Sequence, residues 1–341
     1  MALQADQIVD LVTTTQRDLG KLKWTDIYTP LQEYVALPSL LNKEKVSFSS
    51  GYGIQWNVMV GNSGAAKNVG LYAEDSTNVS DVMKLANIPW RHAVTSYAFE
   101  KREISMNGDP ARIVELLKVR RTDAMLSLAE LMEDNFWGKP VDSADNVTPY
   151  GVDYWITPNA TEGFNGGAPT GFTDVAGLNP ATYANWRNWT AQYAEVTKED
   201  LVRKWRKAAT MTKFMSPVAQ PQYNTGDRFG FYANYDTIAA LEEILEDQND
   251  SLGNDIASKD GLVLFRGNPV RWVPKLDADA KDPVIGINWG VFKPVFLKGE
   301  YLRESAPKEA ANSHNTMEVF VDLTLNFECR DRRRTFRIQK A

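Results

Sequence analysis

The stretch DPARIVELLKVRRTDAMLSLAELMEDNFWG, residues 109–138, decides how the rest of the chain is read. Asp109 is a good N-cap, Pro110 suits the first helical position and Gly138 suits a C-terminal stop. Between them Ile113, Leu117, Ala124, Leu128 and Leu131 recur at helical spacing. At 1.5 Å per residue the stretch makes a rod of about 42 Å. A compact chain of this length has a diameter of roughly 50 Å. One helix would therefore cross nearly the whole molecule, and few comparable partner helices exist elsewhere to make a bundle.

Upstream, residues 5–19 read as a short amphipathic helix, with Ile8, Leu11, Val12 and Leu19 on one stripe and Gly20 as its stop. An irregular segment follows, carrying Trp24, Tyr28, Pro30 and Pro38. Ile54, Trp56, Val58 and Val60 then alternate with Gln55, Asn57 and Met59, a strand signal. A second strand-like run, Trp90 to Ile104, follows Pro89, and the tip Gly61–Asn68 holds no core-forming residue. The whole of 45–108 thus reads as a long hairpin with a loose end. Such a ribbon is marginally stable alone, so it is expected to pack against another surface, in this chain or the next.

Downstream, residues 138–180 hold seven glycines and five prolines but also Tyr150, Tyr154, Trp155, Phe164 and Phe172, an elaborated loop region with something to bury. Thr197-Lys198-Glu199-Asp200 resembles a capping box before a helix with Leu201, Trp205, Ala208 and Met215. Phe229–Ala233, Gly261–Phe265, Val270–Val273 and Val284–Trp289 read as short strands, and Asp236–Glu246 as a helix. Near the end, Val319, Val321, Leu323, Leu325, Phe327 and Cys329 alternate with polar or mixed neighbours over about a dozen residues, long for a strand.

The 341 residues are 43% hydrophobic and 24% charged, ordinary for a globular protein. No apolar run is long enough to cross a membrane, and the first residues, Met1–Asp6, lack the pattern of a secretory signal. One cysteine excludes an internal disulfide framework and a multi-cysteine metal site. Two histidines, His92 and His314, make a two-histidine metal site or a Ser-His-Asp triad a poor fit. The formal charge of −6 argues against a free-standing DNA binder. Residues 330–340 nevertheless hold six basic residues and one acid, read here as a solvated strand end, while 236–260 hold eight acids and one lysine.

Candidate chemistry is thin. Gly51-Tyr52-Gly53 lacks the third glycine of a dinucleotide fingerprint, and Gly61-Asn62-Ser63-Gly64 misses the nucleophile-elbow spacing. Glu242, Glu243, Glu246, Asp247 and Asp250 lack calcium-loop spacing and read as a solvated face. Ten tryptophans leave room for a carbohydrate-binding protein or glycosidase, with Trp155, Trp186 and Trp189 as a sugar platform; such aromatics more often fill cores and interfaces. Cys329 continues an apolar strand face and reads as a buried hydrophobe. No catalytic residue, cofactor or metal is assigned.

In order, these elements resemble the major capsid protein of tailed bacteriophages, the Hong Kong phage capsid fold shared with encapsulins. Phe231-Tyr232-Ala233-Asn234-Tyr235-Asp236 is similar to that family's strand-to-helix entry. Gly261-Leu262-Val263-Leu264-Phe265-Arg266-Gly267-Asn268-Pro269-Val270 with Trp272-Val273-Pro274 resembles its later hairpin, and Val284-Ile285-Gly286-Ile287-Asn288-Trp289-Gly290 the strand after it. The resemblance implies an α+β fold with an N-terminal arm at 1–44 and an extended hairpin loop at 45–108. A peripheral domain would span 109–196 with the spine helix at 109–138, an axial domain 197–313, and a closing strand at 314–341 would return to the peripheral domain.

It further implies a structural protein of the virion, assembled in the host cytoplasm as hexamers and pentamers into an icosahedral capsid around double-stranded DNA held non-specifically. An encapsulin-like compartment is the near variant. Partners would be further copies of the chain, a portal, and a separate scaffold or cement protein, since no large cleavable N-terminal extension is present; no membrane is involved. Ile54, Trp56, Val58, Asn62, Lys67, Asn68, Trp24 and Tyr28 are the candidate subunit contacts. Some relatives cross-link a lysine to an asparagine, but no motif carries that chemistry onto Lys67, Asn62 or Asn68, and an edge lysine is more simply solubilising.

Overall fold

The computed structural model describes residues 47–71, 81–103, 110–213, 229–246 and 263–341. The expected helix at 5–19 and the candidates Trp24 and Tyr28 lie outside them. The long helix α1 runs over Pro110–Trp137, and the Gly138 N–H closes its last turn on the Asp134 carbonyl at 2.9 Å. Leu117, Ala124, Leu128, Met132 and Phe136 form its buried stripe, the 3.6-residue period expected of a helix lying on a core. Leu131, expected on that stripe, faces outward at 43% exposure, because the stripe drifts and Met132 takes the inward position.

Two sheets divide the remaining strands. The first is built on β14 (Ser313–Cys329), 17 residues long. On one edge β14 pairs antiparallel in succession with β13 (Lys308–Ala310), β12 (Arg303–Glu304) and β11 (Phe292–Leu297). Beyond β11 lies the short parallel strand β1 (Ser47–Ser49). The other edge of β14 pairs over ten residues with β4 (Arg91–Glu100), from Thr316↔Glu100 to Leu325↔Arg91. This departs from the expected hairpin: the run after Pro89 joins the closing strand. The ribbon partner of β2 (Gly53–Met59) is instead β3 (Met83–Pro89), in register from Gly53↔Pro89 to Met59↔Met83. Pro89 ends that ladder, and its carbonyl accepts a 2.7 Å bond from the Asn326 side chain, which hands the chain over to β14.

The second sheet has seven strands in the order β5-β6-β15-β10-β7-β9-β8. They are β5 (Gly163–Gly166), β6 (Asn188–Tyr193), β7 (Phe229–Ala233), β8 (Leu264–Phe265), β9 (Asn268–Trp272), β10 (Val284–Asn288) and β15 (Phe336–Lys340). Its strands come from three stretches of the chain, 163–193, 229–288 and 336–340. Strands before 196 and after 313 join it, whereas β11–β13 belong with β14. Among the described residues the α-helices after α1 are the one-turn α2 (Val152–Trp155), α3 (Arg203–Met211), α4 (Tyr235–Glu246) and α5 (Pro274–Asp277). Thr197 Oγ1 accepts the Asp200 N–H at 3.2 Å, as a capping box requires. The Asp200 carboxylate reaches further back, to the Ala194 and Glu195 N–H groups.

Each sheet has its own core. Phe136, Trp155, Phe292, Phe296, Val321, Leu323 and Phe327 join in one; Trp189, Trp205, Phe231, Val284, Phe336 and Ile338 join in the other. Successive residues of β10 and β7 serve opposite faces. Val284 and Phe231 point into the second core, while Ile285 and Tyr232 point into the first, where Tyr232 meets the Trp137 ring at 5.2 Å.

Two readings of the tail and the aromatics are corrected. The basic end is no solvated strand end: β15 is paired on both sides, and Arg332, Arg334 and Arg337 are buried. Arg337 is held by Asp153 and Asp279. Arg332, fully enclosed, donates to the carbonyls of Trp155 (2.8 Å), Trp186 (2.9 Å) and Gly167 (2.9 Å), to Asn188 Oδ1 (3.1 Å) and to Thr157 Oγ1 (3.3 Å). Burial lowers its pKa to about 10, so it stays protonated at neutral pH. Trp155, Trp186 and Trp189 are buried as well, which removes the stacking surface that a sugar platform needs.

Candidate functional site

The β2–β3 ribbon is the element sequence reasoning singled out for contact, and its two faces have different fates. Period-two alternation puts Ile54, Trp56, Val58, Ala86 and Ile88 on one face. That face lies on the chain's own first core: Ile54, Ala86 and Ile88 are buried, Trp56 and Val58 pack against it, and Trp56 meets Trp155 at 6.2 Å. The Asn87 N–H donates to Ala176 O at 3.1 Å and Trp90 Nε1 to Gly51 O at 2.9 Å, which tie the ribbon down. Ile54, Trp56 and Val58, expected at a neighbour's surface, therefore serve the fold of this chain.

The opposite face carries Gln55, Asn57, Met59, Met83, Leu85 and Asn87, all exposed. Met59 is 61% exposed, Met83 52% and Leu85 54%, and Met59 and Met83 are directly paired across the ribbon. Val69 and Leu71, in the loop beyond the ribbon, are exposed as well, Leu71 at 92%. Single exposed hydrophobics are ordinary, but a contiguous set on one ribbon face marks an interaction surface. Sequence reading assigned the stronger alternation, Ile54-Trp56-Val58, to the partner. The exposed set, Met59, Met83 and Leu85, shows the weaker alternation in the sequence.

At the tip, Asn62 Oδ1 accepts the Gly64 N–H (3.2 Å) and Ser63 Oγ the Ala65 N–H (3.3 Å), local turns of the kind these residues favour. Asn62, Lys67 and Asn68 are all exposed there. These three lie exposed in the loop that follows β2, apart from the ribbon face that carries Ile54, Trp56 and Val58.

The ribbon base rests on a firm frame. Arg91, buried at the start of β4, donates to the carbonyls of Thr148 (3.1 Å), Asn146 (2.7 Å) and Asp145 (2.8 Å), with its guanidinium 5.4 Å from the Tyr150 ring centroid. Backbone N–H bonds from Val147 and Thr148 hold the Asp145 carboxyl well below the ordinary 3.8, at about 2. Along α1, Arg120 clamps Glu103 through two bonds of 2.8 and 2.9 Å, and Arg121 pairs with Glu304 of β12. His92 Nδ1 lies 2.8 Å from Thr324 Oγ1 across the β4–β14 pair. Burial pushes the Cys329 thiol up, away from nucleophilic use. Among the described residues no group of three metal-ligating side chains occurs, and no helix is long and apolar enough to cross a membrane.

A long helix laid on a β14-centred sheet, a second seven-stranded sheet, and a projecting ribbon together define the fold of tailed-phage capsid proteins. Known structures carry the same fold. The chain is similar to one in the cyanophage A-1(L) capsid asymmetric unit (TM-score 0.61, 16% identity, 96% of this chain and 98% of that one). It is also similar to the capsid of the native GTA particle (0.55, 12%, 94% and 95%) and to the capsid of Myoviridae phage XM1 (0.53, 8%, 95% and 98%). No protein-family model and no curated protein matches the sequence.

Proposed function

We propose that this chain is a major capsid protein, a structural subunit that assembles with copies of itself through hexamers and pentamers into an icosahedral shell around double-stranded DNA. The observation that carries the reading is the correspondence of 94–96% of the chain with chains of solved capsids, over 95–98% of their own length. The exposed apolar face of the β2–β3 ribbon supports it. Covering what remains exposed of Met59, Met83 and Leu85, a little over half of each, contributes about 1–1.5 kcal/mol each before ordering costs are subtracted. The N-terminal 44 residues act as an arm, Asn62, Lys67 and Asn68 at the tip approach a neighbour, and Trp24 and Tyr28 belong to the same contacts.

In this reading β4, α1 and the β14 sheet form the peripheral part, and the seven-stranded sheet with α3 and α4 forms the axial part around which rings close. The shell is a component of the virion and is built in the host cytoplasm. A portal is a further partner, as is a scaffold or cement protein where assembly uses one. Negative-stain microscopy of the purified chain is the test: closed particles of uniform size or flat hexamer sheets are expected. A species that stays monomeric across a wide concentration range in analytical ultracentrifugation sinks the proposal.

A further inference from the structure

The seven-stranded sheet carries two helices whose outward faces have opposite charge. Both bury their apolar sides in the same core, α3 through Trp205 and Ala208 and α4 through Leu241. Outward, α3 presents Arg203, Arg206 and Lys207 at the i, i+3, i+4 spacing of one helix face, with Lys213 exposed just beyond its end. Lys204 and Lys207 find carboxylates within the chain, at Asp200 and Glu162. Arg203, Arg206 and Lys213 have no carboxylate partner among the described residues. The outward face of α4 carries Asp236, Glu242 and Glu243, exposed and without a basic partner among the described residues.

We infer that the basic face of α3 (Arg203, Arg206, Lys213) docks on the acidic face of α4 (Asp236, Glu242, Glu243) of the next copy of this chain in the ring. This rests on the assembly reading above and names the contact that sets its register. A chain that carries the two halves of a charge pair on separate helices can offer one half to a neighbour and the other to the next, a head-to-tail contact, and such contacts close into rings. Phosphate is the alternative occupant of the basic face. An acidic chain that supplies its own matching face, repeated on every copy, favours the second subunit. Charge pairs of this kind set register and partner choice more than raw affinity, and they weaken as salt shortens the screening length to below about 10 Å.

The test uses the full-length chain with paired charge reversals, read by native mass spectrometry. R203E/R206E and E242K/E243K should each lower hexamer yield at least about tenfold, since like charges then face each other. The thermal midpoint of the separated subunit should not change, which shows that folding is intact. Mixing the two variants in equal amounts should restore hexamers, because alternating copies put every reversed face against its complement. It should not restore pentamers, since an odd ring cannot alternate. Hexamers formed normally by either variant alone overturn the inference, as does a mixture that fails to recover them. Normal particles of R203E/R206E that retain less nucleic acid also overturn it and assign the face to phosphate. Wild-type chains that form no ring overturn the assembly reading, and this inference with it.

Discussion

Arg332 and Gly286 show how single residues fix the second sheet in place. The Arg332 guanidinium is surrounded by neutral acceptors on three separate segments, around 155–157, 167 and 186–188. Removing it strands buried carbonyls at about 1–3 kcal/mol apiece. Arg332→Lys keeps the buried charge but offers a shorter reach and fewer donors; Arg332→Met removes charge and donors together. Urea unfolding of separated subunits should therefore show both destabilised by more than about 2 kcal/mol, with Lys the worse. A Lys variant more stable than the Met variant contradicts this. At Gly286 a Cβ would meet the Phe336 ring at 2.2 Å, so Gly286→Ala should cost about 1–3 kcal/mol, and Phe336→Leu on that background should recover part of it. Asp145 sets a pH limit. Its carboxyl is held at about 2 in the folded chain, below its ordinary 3.8, so the stabilisation is full above about pH 4 and is lost as pH falls through 2. Asp145→Asn should lower stability at neutral pH and flatten the stability-versus-pH curve between about pH 4 and 2. None of these three roles was legible beforehand. The run Arg332-Arg333-Arg334 reads as surface charge until the strand after it is seen paired on both sides.

At the scale of elements, local chemistry was readable and long-range pairing was not. The α1 helix stood in the sequence because its stop, its first residue and its stripe all agree, and the capping Thr197 was readable for the same reason. The ribbon was misread in its second strand. Leu85, Ala86, Asn87 and Ile88 have weak alternation, while the aromatic run after Pro89 has more strand character and in fact serves β14. Register across 232 residues, as between His92 and Thr324, has no local signal. The face assignment failed for a related reason: alternation says that a face is buried, not by which chain. The ribbon's outer face carries the corresponding prediction. Met59→Ser, Met83→Ser and Leu85→Ser together should leave the subunit's unfolding midpoint within about 0.5 kcal/mol of wild type, because all three are exposed. Particle yield by sedimentation should fall steeply. Deleting 61–68 should likewise spare folding and impair assembly. Ile54→Ser, on the buried face, should do the reverse and lower subunit stability first.

For the whole molecule, β7 and β10 send alternate side chains into the two cores and so join the sheets, while the residues of the ribbon tip are mostly exposed. Tyr232 and Trp137 close the seam between the sheets at 5.2 Å, and β14 and β15 run into its two halves in turn. Among the described residues the tip's bonds include Val60 N–H to Val82 O at 2.9 Å and the local turns at Asn62 and Ser63. Protection against amide hydrogen exchange follows the free energy of local opening, which is small where backbone groups face water. In separated subunits, amides of 61–71 should therefore exchange rapidly, while those of β14, β15 and β10 should exchange only with global unfolding. Assembly should slow exchange at 61–71 and along the exposed edge residues of β2 and β3, and leave the β14 amides as they were. That contrast separates an ordering contact made by a neighbour from a general stabilisation by crowding, which would raise protection everywhere by a similar small amount. Tip amides equally fast in particles and in subunits would mean that the ribbon end touches nothing in the shell, and the bond between neighbours would then have to lie in the charged helices alone.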